Sequence, residues 1–468
     1  MANSALASIG VKALAASYAG LQTTGQNIAN ANVAGYSRQS VVLAPSLPQF
    51  TGSGYFGRGV DVTNVVRAHD AFLSREAIST ASVASMDSAR LAQLNQLETQ
   101  FPTGEQGLGY TTTQFFNAFS DLTTQPSDPS ALQVVLARAA DMVSQFQQMG
   151  AAFDTQQAGV TSSLNAAVDE VNSLTQNIAD LNSRIAAAGA LGHPPNDLLD
   201  RRDTLISQLA SHVQITRIDA SDGSAGLFIA GGQSLVLGAT ANKLSIQPDA
   251  SDPSRSALGI ADGAGVRIVD ANALGGGDIA GLLTFQNSDL ATARSLVQNF
   301  AESVARAVNQ QQALGLTPDG RAGPAMFDIG PPTIPANASN VSLAAGFGPG
   351  DIAAASQAVP GAPASNNGNA VALLGLRDRA IVGGMTPSDA YAQAMTTIGT
   401  RVQSTKTSSD ISTAAAAQAD QAQTSVSGVN LDEEAARLIQ YQQSYQAAAK
   451  VLQVAQTLFD TLLQAAGR

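Results

Sequence analysis

The densest chemistry in the chain is the run Asn196, Asp197, Leu198, Leu199, Asp200, Arg201, Arg202, Asp203. Three carboxylates so close together could work as a general acid and base, or supply oxygen ligands to a divalent cation. Helical spacing gives a different account. Asn196 is a good N-cap after Pro194 and Pro195, and Asp197 and Asp200 favour the positive end of the helix dipole. Asp197 and Arg201 form an i,i+4 pair worth roughly 0.3 kcal/mol, and Leu198, Leu199, Leu205, Ile206 and Leu209 form a buried side. The structural account is the stronger, so this run is assigned no catalytic, cofactor-binding or metal-binding residue.

Nothing else in the sequence argues for catalysis. His69, His193 and His212 are the only histidines and none lies in a motif; His193, beside two prolines, reads as a loop residue. There is no Cys, which removes disulfides, thiolate metal sites and Cys nucleophiles. No dinucleotide, Walker A, nucleophile-elbow, zincin or EF-hand pattern occurs, and Gly275, Gly276 and Gly277 read as a turn. No cofactor is expected, and the chain is not expected to be an enzyme. Net charge is -12 and no basic patch is interleaved with aromatics, so nucleic acid is not an expected partner. No run of about 18 apolar residues exists to insert in a membrane. The first basic residue is Lys12 and no unbroken apolar core follows it. A cleaved signal peptide is therefore not expected, and an extracellular chain would need another export route.

The elements that position these residues are long helices. Near the C-terminus, Leu431, Leu438, Tyr445, Leu452 and Phe459 recur at a stride of seven, and Tyr441, Ala448, Ala455 and Leu462 recur three residues behind. That is an a/d seam over four heptads. Gly428 breaks what precedes it, Asn430 can cap it, and Glu433 can reach back to the cap, with Asp432 and Glu434 in the same first turn. Near the N-terminus, Ser4, Ala7, Val11, Leu14, Tyr18, Leu21, Gly25 and Ile28 alternate spacings of three and four. The two seams predict a paired coiled coil of both termini, with small residues such as Ala7 and Gly25 allowing close approach. Between them, Asp128 followed by Pro129 starts one or two very long helices, whose clearest stripe is Val160, Leu164, Ala167, Val171, Leu174, Ile178, Leu181 and Ile185. Residues 213–269 change texture to short β-rich runs (214–218, 227–229, 235–237, 244–246, 266–269) separated by turn signals. Helical spacing returns at Leu290, Ala293, Val297, Phe300 and Val304, and again after Thr386 and Pro387.

The residues after the N-terminal seam are Asn30, Asn32, Gly35, Tyr36, Arg38 and Gln39, in an N-x-N-x-x-G-Y-x-R-Q pattern. Together with the seam helix before it, this resembles the start of the axial proteins of the bacterial flagellum: rod, hook and hook-associated proteins. Gly428, Asp432 and Glu433, with Tyr441 and Tyr445 beyond, are similar to the other end of that family. Val33 and Ala34 depart from the Thr-Pro common there. The run from Asn196 through Asp197, Asp200 and Arg201 to Asp203 resembles the hook-associated branch and not the rod or hook proteins.

The resemblance implies a mainly α chain with an inserted β domain (α+β), elongated and multi-domain. Residues 1–45 with 425–468 would form the terminal coiled coil. Residues 46–212 with 284–325 and 375–424 would form a long-helix rod domain, and residues 213–283 with 326–374 an outer antiparallel β domain. It also implies a structural subunit of a ring joining hook to filament, exported by the flagellum's own type III system. Its expected partners are the hook protein, hook-associated protein 3, an export chaperone holding the C-terminal helix, and further copies of itself. The implied assembly residues are Val11, Leu14, Tyr18, Leu21, Ile28, Leu431, Leu438, Tyr441, Tyr445, Leu452, Phe459 and Leu462. Two other readings stay open: another axial component, and a secreted hydrolase of cell-wall glycan, which a turnover assay on peptidoglycan would separate.

Overall fold

The computed structural model describes residues 2–50, 54–190, 195–261, 265–331, 338–356 and 366–466. His193 and Pro194, parts of the 326–374 segment and the side chain of Ser4 lie outside the described residues. The helices are α1 (Ala2–Ala29), α2 (Ala71–Glu98), α3 (Leu108–Asn117), α4 (Phe119–Thr124), α5 (Pro129–Gly189), α6 (Asn196–His212), α7 (Asp278–Thr284), α8 (Ala291–Ala313), α9 (Gly368–Gly375), α10 (Pro387–Ser427) and α11 (Leu431–Ala466). The chain divides into two compact units, with α2, α5 and α10 each contributing to both. One comprises Met1–Ala81, Val171–Asn242 and Thr413–Arg468; the other comprises Ser82–Glu170 and Lys243–Ser412.

The long central stripe is a single helix of 61 residues. Asp128 caps it, its carboxylate accepting the Ser130 N–H at 3.1 Å. Gly150 and Gly159 do not break it, and Val160, Leu164, Val171, Leu174, Ile178 and Ile185 are buried. Burial of the stripe outweighs the propensity cost of about 1 kcal/mol per mid-helix glycine.

In the first unit, strands Gln39–Pro45 and Val60–Arg67 pair antiparallel, with a bulge between Val42 and Leu43. Strands Thr216–Asp219, Ala225–Ile229, Gln233–Leu237 and Thr240–Ala241 make an antiparallel meander. Asn182 of α5 is fully buried and holds this meander. Its amide donates to the Ala225 and Gly238 carbonyls at 2.8 and 2.9 Å, and its oxygen accepts the Ala225 N–H at 3.0 Å.

In the second unit, Lys243–Pro248, Ser256–Ala261 and Val266–Val269 form a three-stranded antiparallel sheet with Ser256–Ala261 in the middle. The sequence patterns do not reveal that central strand, because only Ile260 in it is β-branched. Helices α3 and α4 are likewise missed. Their Gly-Tyr-Thr-Thr-Thr opening is poor in helix formers, and tertiary packing overrides that propensity. Phe115, Phe116 and Phe119 are buried against one another and against Phe327, with ring centroids 5.2–5.7 Å apart. Between α7 and α8, residues Phe285–Leu290 form a π-helical turn. Asp289 on that turn is buried and accepts two hydrogen bonds from Arg90 at 2.8 and 3.0 Å and one from Arg401 at 2.7 Å.

Candidate functional site

The site is built on the terminal helices. Asn430 caps α11 as expected, its side-chain oxygen accepting the Asp432 and Glu433 N–H groups at 3.0 and 3.3 Å. Glu433 does not close a capping box. It is turned to Arg38 at 3.2 Å and Arg437 at 2.8 Å. Helices α1 and α11 pack side by side and antiparallel, so that Gly10 faces Leu452 and Gly20 faces Tyr441.

On α11 the predicted seam is the inward face over its middle. Leu438, Tyr441, Tyr445 and Leu452 are half-buried and Ala448 and Ala455 buried, whereas Leu431, Phe459 and Leu462 are exposed. On α1 the face turned to α11 is not the predicted stripe. Apart from Ala16, the buried residues are Gly10, Ser17, Gly20, Thr24 and Asn27, each one position before a predicted seam residue. One residue is about 100° around a helix. Val11, Tyr18 and Ile28 are therefore exposed, Leu14 and Leu21 half-buried, and Gly25 faces open space. The physical reason is bulk. The large α11 side chains need hollows, and the small and polar stripe of α1 supplies them.

A polar joint closes the C-terminal end of α1. Asn27 is 1% exposed and uses every hydrogen-bonding position of its amide. It donates to the Gln39 carbonyl and to Glu434 Oε2, and accepts from the Tyr36 hydroxyl and the Gln39 N–H, all at 2.9 Å. Glu434, fully buried, also meets Arg437 at 3.3 Å. The Arg38 N–H donates to the Ser427 carbonyl at 2.8 Å. Gly428 ends the preceding helix, its N–H on the Thr424 carbonyl at 2.7 Å. Gly35 has φ +79°, a left-handed conformation, and a Cβ there would lie 2.2 Å from Thr204 Oγ1, so glycine is required twice over. Asn30 donates to the Gln26 carbonyl at the end of α1, and Asn32 is exposed.

The α6 carboxylates belong to the same joint. Asp200 accepts the Ser37 N–H at 3.0 Å and Arg67 Nη1 at 2.7 Å. Asp203 accepts Arg67 Nη2 at 2.6 Å and Arg217 Nη1 at 2.7 Å. Asp197 accepts from the Gln39 amide at 3.4 Å, and Arg201 is exposed. The helix-cap account of this run needs correction. Pro195 holds the N-cap position, and Asn196 is the first helical residue. Its amide donates to the Val65 carbonyl at 2.9 Å and Gln39 Oε1 at 3.4 Å. The run is a bridge between chain segments. Helical spacing does not reveal this, because Ser37, Gln39, Val65 and Arg67 lie more than 130 residues before the residues of the run that they meet.

The charges are mutually satisfied. Burial opposes the charge of Asp203, yet Arg217, Arg67 and Arg202 hold its carboxyl below the usual range. Burial, then the carboxylates of Asp200, Asp197 and Glu434, push the Tyr36 hydroxyl up to about 12. Burial and the Arg67 charge push His69 down. With Asp200 and Asp203 both committed to guanidinium groups, the arrangement is suited to holding segments in register and not to exchanging protons with a substrate. Sequence reasoning missed Asn27, Arg67, Asn182, Arg217 and this role of Glu434. Asn27 and Glu434 did carry a signal, a polar residue within each heptad-patterned helix.

Known proteins match this chain along its length. The family described as the helical domain of flagellar hook-associated protein FlgK matches residues 94–327, and the C-terminal family of the flagellar basal body rod FlgEFG proteins matches residues 421–465. Flagellar hook-associated protein 1 of Salmonella typhimurium is 31% identical over 550 aligned positions, covering 98% of this chain and 99% of that one. The proteins of the same name from Escherichia coli and Bacillus subtilis are 29% and 27% identical, covering 98% and 97% of this chain and 99% and 97% of theirs. Among solved structures, the flagellar hook junction protein FlgK from Burkholderia pseudomallei shares the fold. Its TM-score is 0.68 at 20% identity, over 75% of this chain and all of that one. The seam helices, the joint that ties them and the match over nearly every residue agree: this chain belongs to the flagellar hook-associated protein 1 family.

Proposed function

We propose that this chain is a structural subunit of the extracellular flagellum, placed at the junction of hook and filament. The observation that carries the reading is the terminal helix pair. In it α1 spends its small and polar face on pairing, and the two helices turn Val11, Tyr18, Ile28, Val454, Leu458 and Phe459 outward. Exposed apolar stripes of this length are docking faces for other helices, and further copies of the chain in a ring are the natural occupants. The predicted assembly residues Leu14, Leu21, Leu438, Tyr441, Tyr445 and Leu452 would support those faces from behind, with Leu431 and Leu462 at their ends. The names carried by the relatives support the same location.

The finer reading follows from the family. The subunit would rest on the hook protein and receive hook-associated protein 3. It would leave the cell through the flagellar type III channel without a cleaved signal, its C-terminal helix held by an export chaperone until then. The three-part division given above, with terminal helices innermost and the β domain outermost, is part of this proposal. The deciding experiment is deletion of the gene. Complete hooks without filaments are expected, with filament subunits released into the medium. Purified protein added to such hooks should restore the next layer, because assembly needs only complementary surfaces. Arrest at the rod, or filaments of normal number, would rule the junction role out.

A further inference from the structure

Two glycines of α1 face bulky apolar side chains of α11, Leu452 and Tyr441. A Cβ on Gly10 would lie 2.8 Å from Leu452 Cγ, and one on Gly20 would lie 2.6 Å from Tyr441 Cδ1 and Cε1. Carbon atoms do not approach so closely without bonding. Neither glycine has a positive φ, and both sit inside a helix, where alanine is the better former. The backbone does not call for glycine at these positions; the facing side chains do.

The seam of α11 leaves its own register undetermined. Leu438, Tyr445, Leu452 and Phe459 repeat at seven, so sliding by one heptad, about 10 Å, replaces one apolar residue of this row by another. We propose that Gly10 and Gly20 are the register-determining residues of the terminal pair: two sockets that accept Leu452 and Tyr441 and no other pair. A slide one way would bring Phe459 to Gly10 and Ala448 to Gly20, overfilling one socket and leaving a void in the other. A slide the opposite way would bring Tyr445 and Glu434. It would press a carboxylate against helix backbone and take it from Asn27, which it meets at 2.9 Å. Register in turn decides which outward residues of α11 stand beside Val11, Tyr18 and Ile28, so the sockets set the composite face shown to neighbours. The test rests on the subunit being built into flagella, and the two readings fail differently: absence of the parent pairs from flagella would count against that place, whereas their cross-linking ratio reports the sockets.

The chain has no cysteine, so introduced pairs report without background. Ala13→Cys with Ala448→Cys probes the observed register, and Ala13→Cys with Ala455→Cys probes a one-heptad slide. Flagella isolated from cells carrying each pair are oxidised, and the intrachain disulfide is read by gel mobility and peptide mass. The first pair should cross-link at least tenfold more than the second. Adding Gly20→Leu should reverse that ratio or remove the protein from flagella, and adding Tyr441→Ala to Gly20→Leu should restore it. Gly20→Ala improves helix propensity, so a merely helical role predicts equal or better incorporation, whereas the sockets predict less. The proposal is overturned by any of three results: equal cross-linking of the two parent pairs, unchanged cross-linking and incorporation in Gly10→Leu and Gly20→Leu, or no rescue by Tyr441→Ala.

Discussion

Helices α1 and α5 carry the same kind of sequence signal and put it to opposite uses. Each has apolar residues alternating at three and four. On α5 that stripe is buried, with Val160, Leu164, Val171 and Ile178 at zero exposure. On α1 the stripe stays outward, with Val11 at 56% and Tyr18 at 59% exposure, while glycine, serine, threonine and asparagine line the inward face. Periodicity shows that a helix has a face to bury. It does not show whether the partner is in the same chain.

The comparison breaks most sharply under matched substitutions. Leu164→Ala opens a cavity in a fully buried stripe and should cost about 3 kcal/mol. A denaturant titration of the purified protein would show it as an earlier midpoint with little change in slope. Leu458→Glu, on the outward stripe of α11, should change that midpoint by less than about 0.5 kcal/mol and yet abolish incorporation into flagella. If Leu458→Glu destabilises the isolated chain as much as Leu164→Ala, the outward stripe has an intrachain partner and the contrast fails.

Next in size is Asp200→Asn. A cap residue at the start of a helix would tolerate this change. A buried carboxylate bridging Arg67 and the Ser37 N–H does not, and the loss should be about 3 kcal/mol. Asn196→Ala should cost less, about 1 kcal/mol, the usual value of one net hydrogen bond, here the one to the Val65 carbonyl. A helix-cap role predicts a similar number for Asn196→Ala, so the two accounts separate on rescue. Asn196→Ser would repair a cap, but its side chain is too short to reach Val65, and stability should remain low.

These cases mark what was legible. The long helices, the caps at Asp128 and Asn430, the pairing of the termini and the change to β texture after residue 213 all rest on local spacing or on one residue's preference. The rest depended on partners far along the chain. Which face of α1 turns inward follows from the bulk of Tyr441 and Leu452. The role of Asp200 follows from Arg67, which ends a strand and carries no motif of its own. The π-turn at Phe285–Leu290 has no period to betray it, and the strand Ser256–Ala261 is held by neighbours on both sides. The joint was recognisable as a family pattern, but the chemistry of its α6 carboxylates was not, because the pattern omits Arg67 and Arg217, the guanidinium groups that satisfy Asp200 and Asp203.

The smallest effect expected is also the most specific to the joint. The Tyr36 hydroxyl donates to Asn27, and its pKa is raised to about 12 by burial and by three nearby carboxylates. A tyrosine in the unfolded chain titrates near 10. Below pH 10 both states keep the proton and the contribution is fully present. Between about 10 and 12 the unfolded state releases its proton first, so stability falls as pH rises. Tyr36→Phe removes that term along with the hydroxyl. It should lower stability at pH 8 by about 1 kcal/mol for the lost hydrogen bond, and it should flatten the decline above pH 10 relative to the parent. Other tyrosines and the lysines titrate in both proteins, so the difference between the two melting curves isolates this group. Parallel curves from pH 9 to 12 would mean that Tyr36 faces water, and that the carboxylates of α6 and α11 do not converge on it.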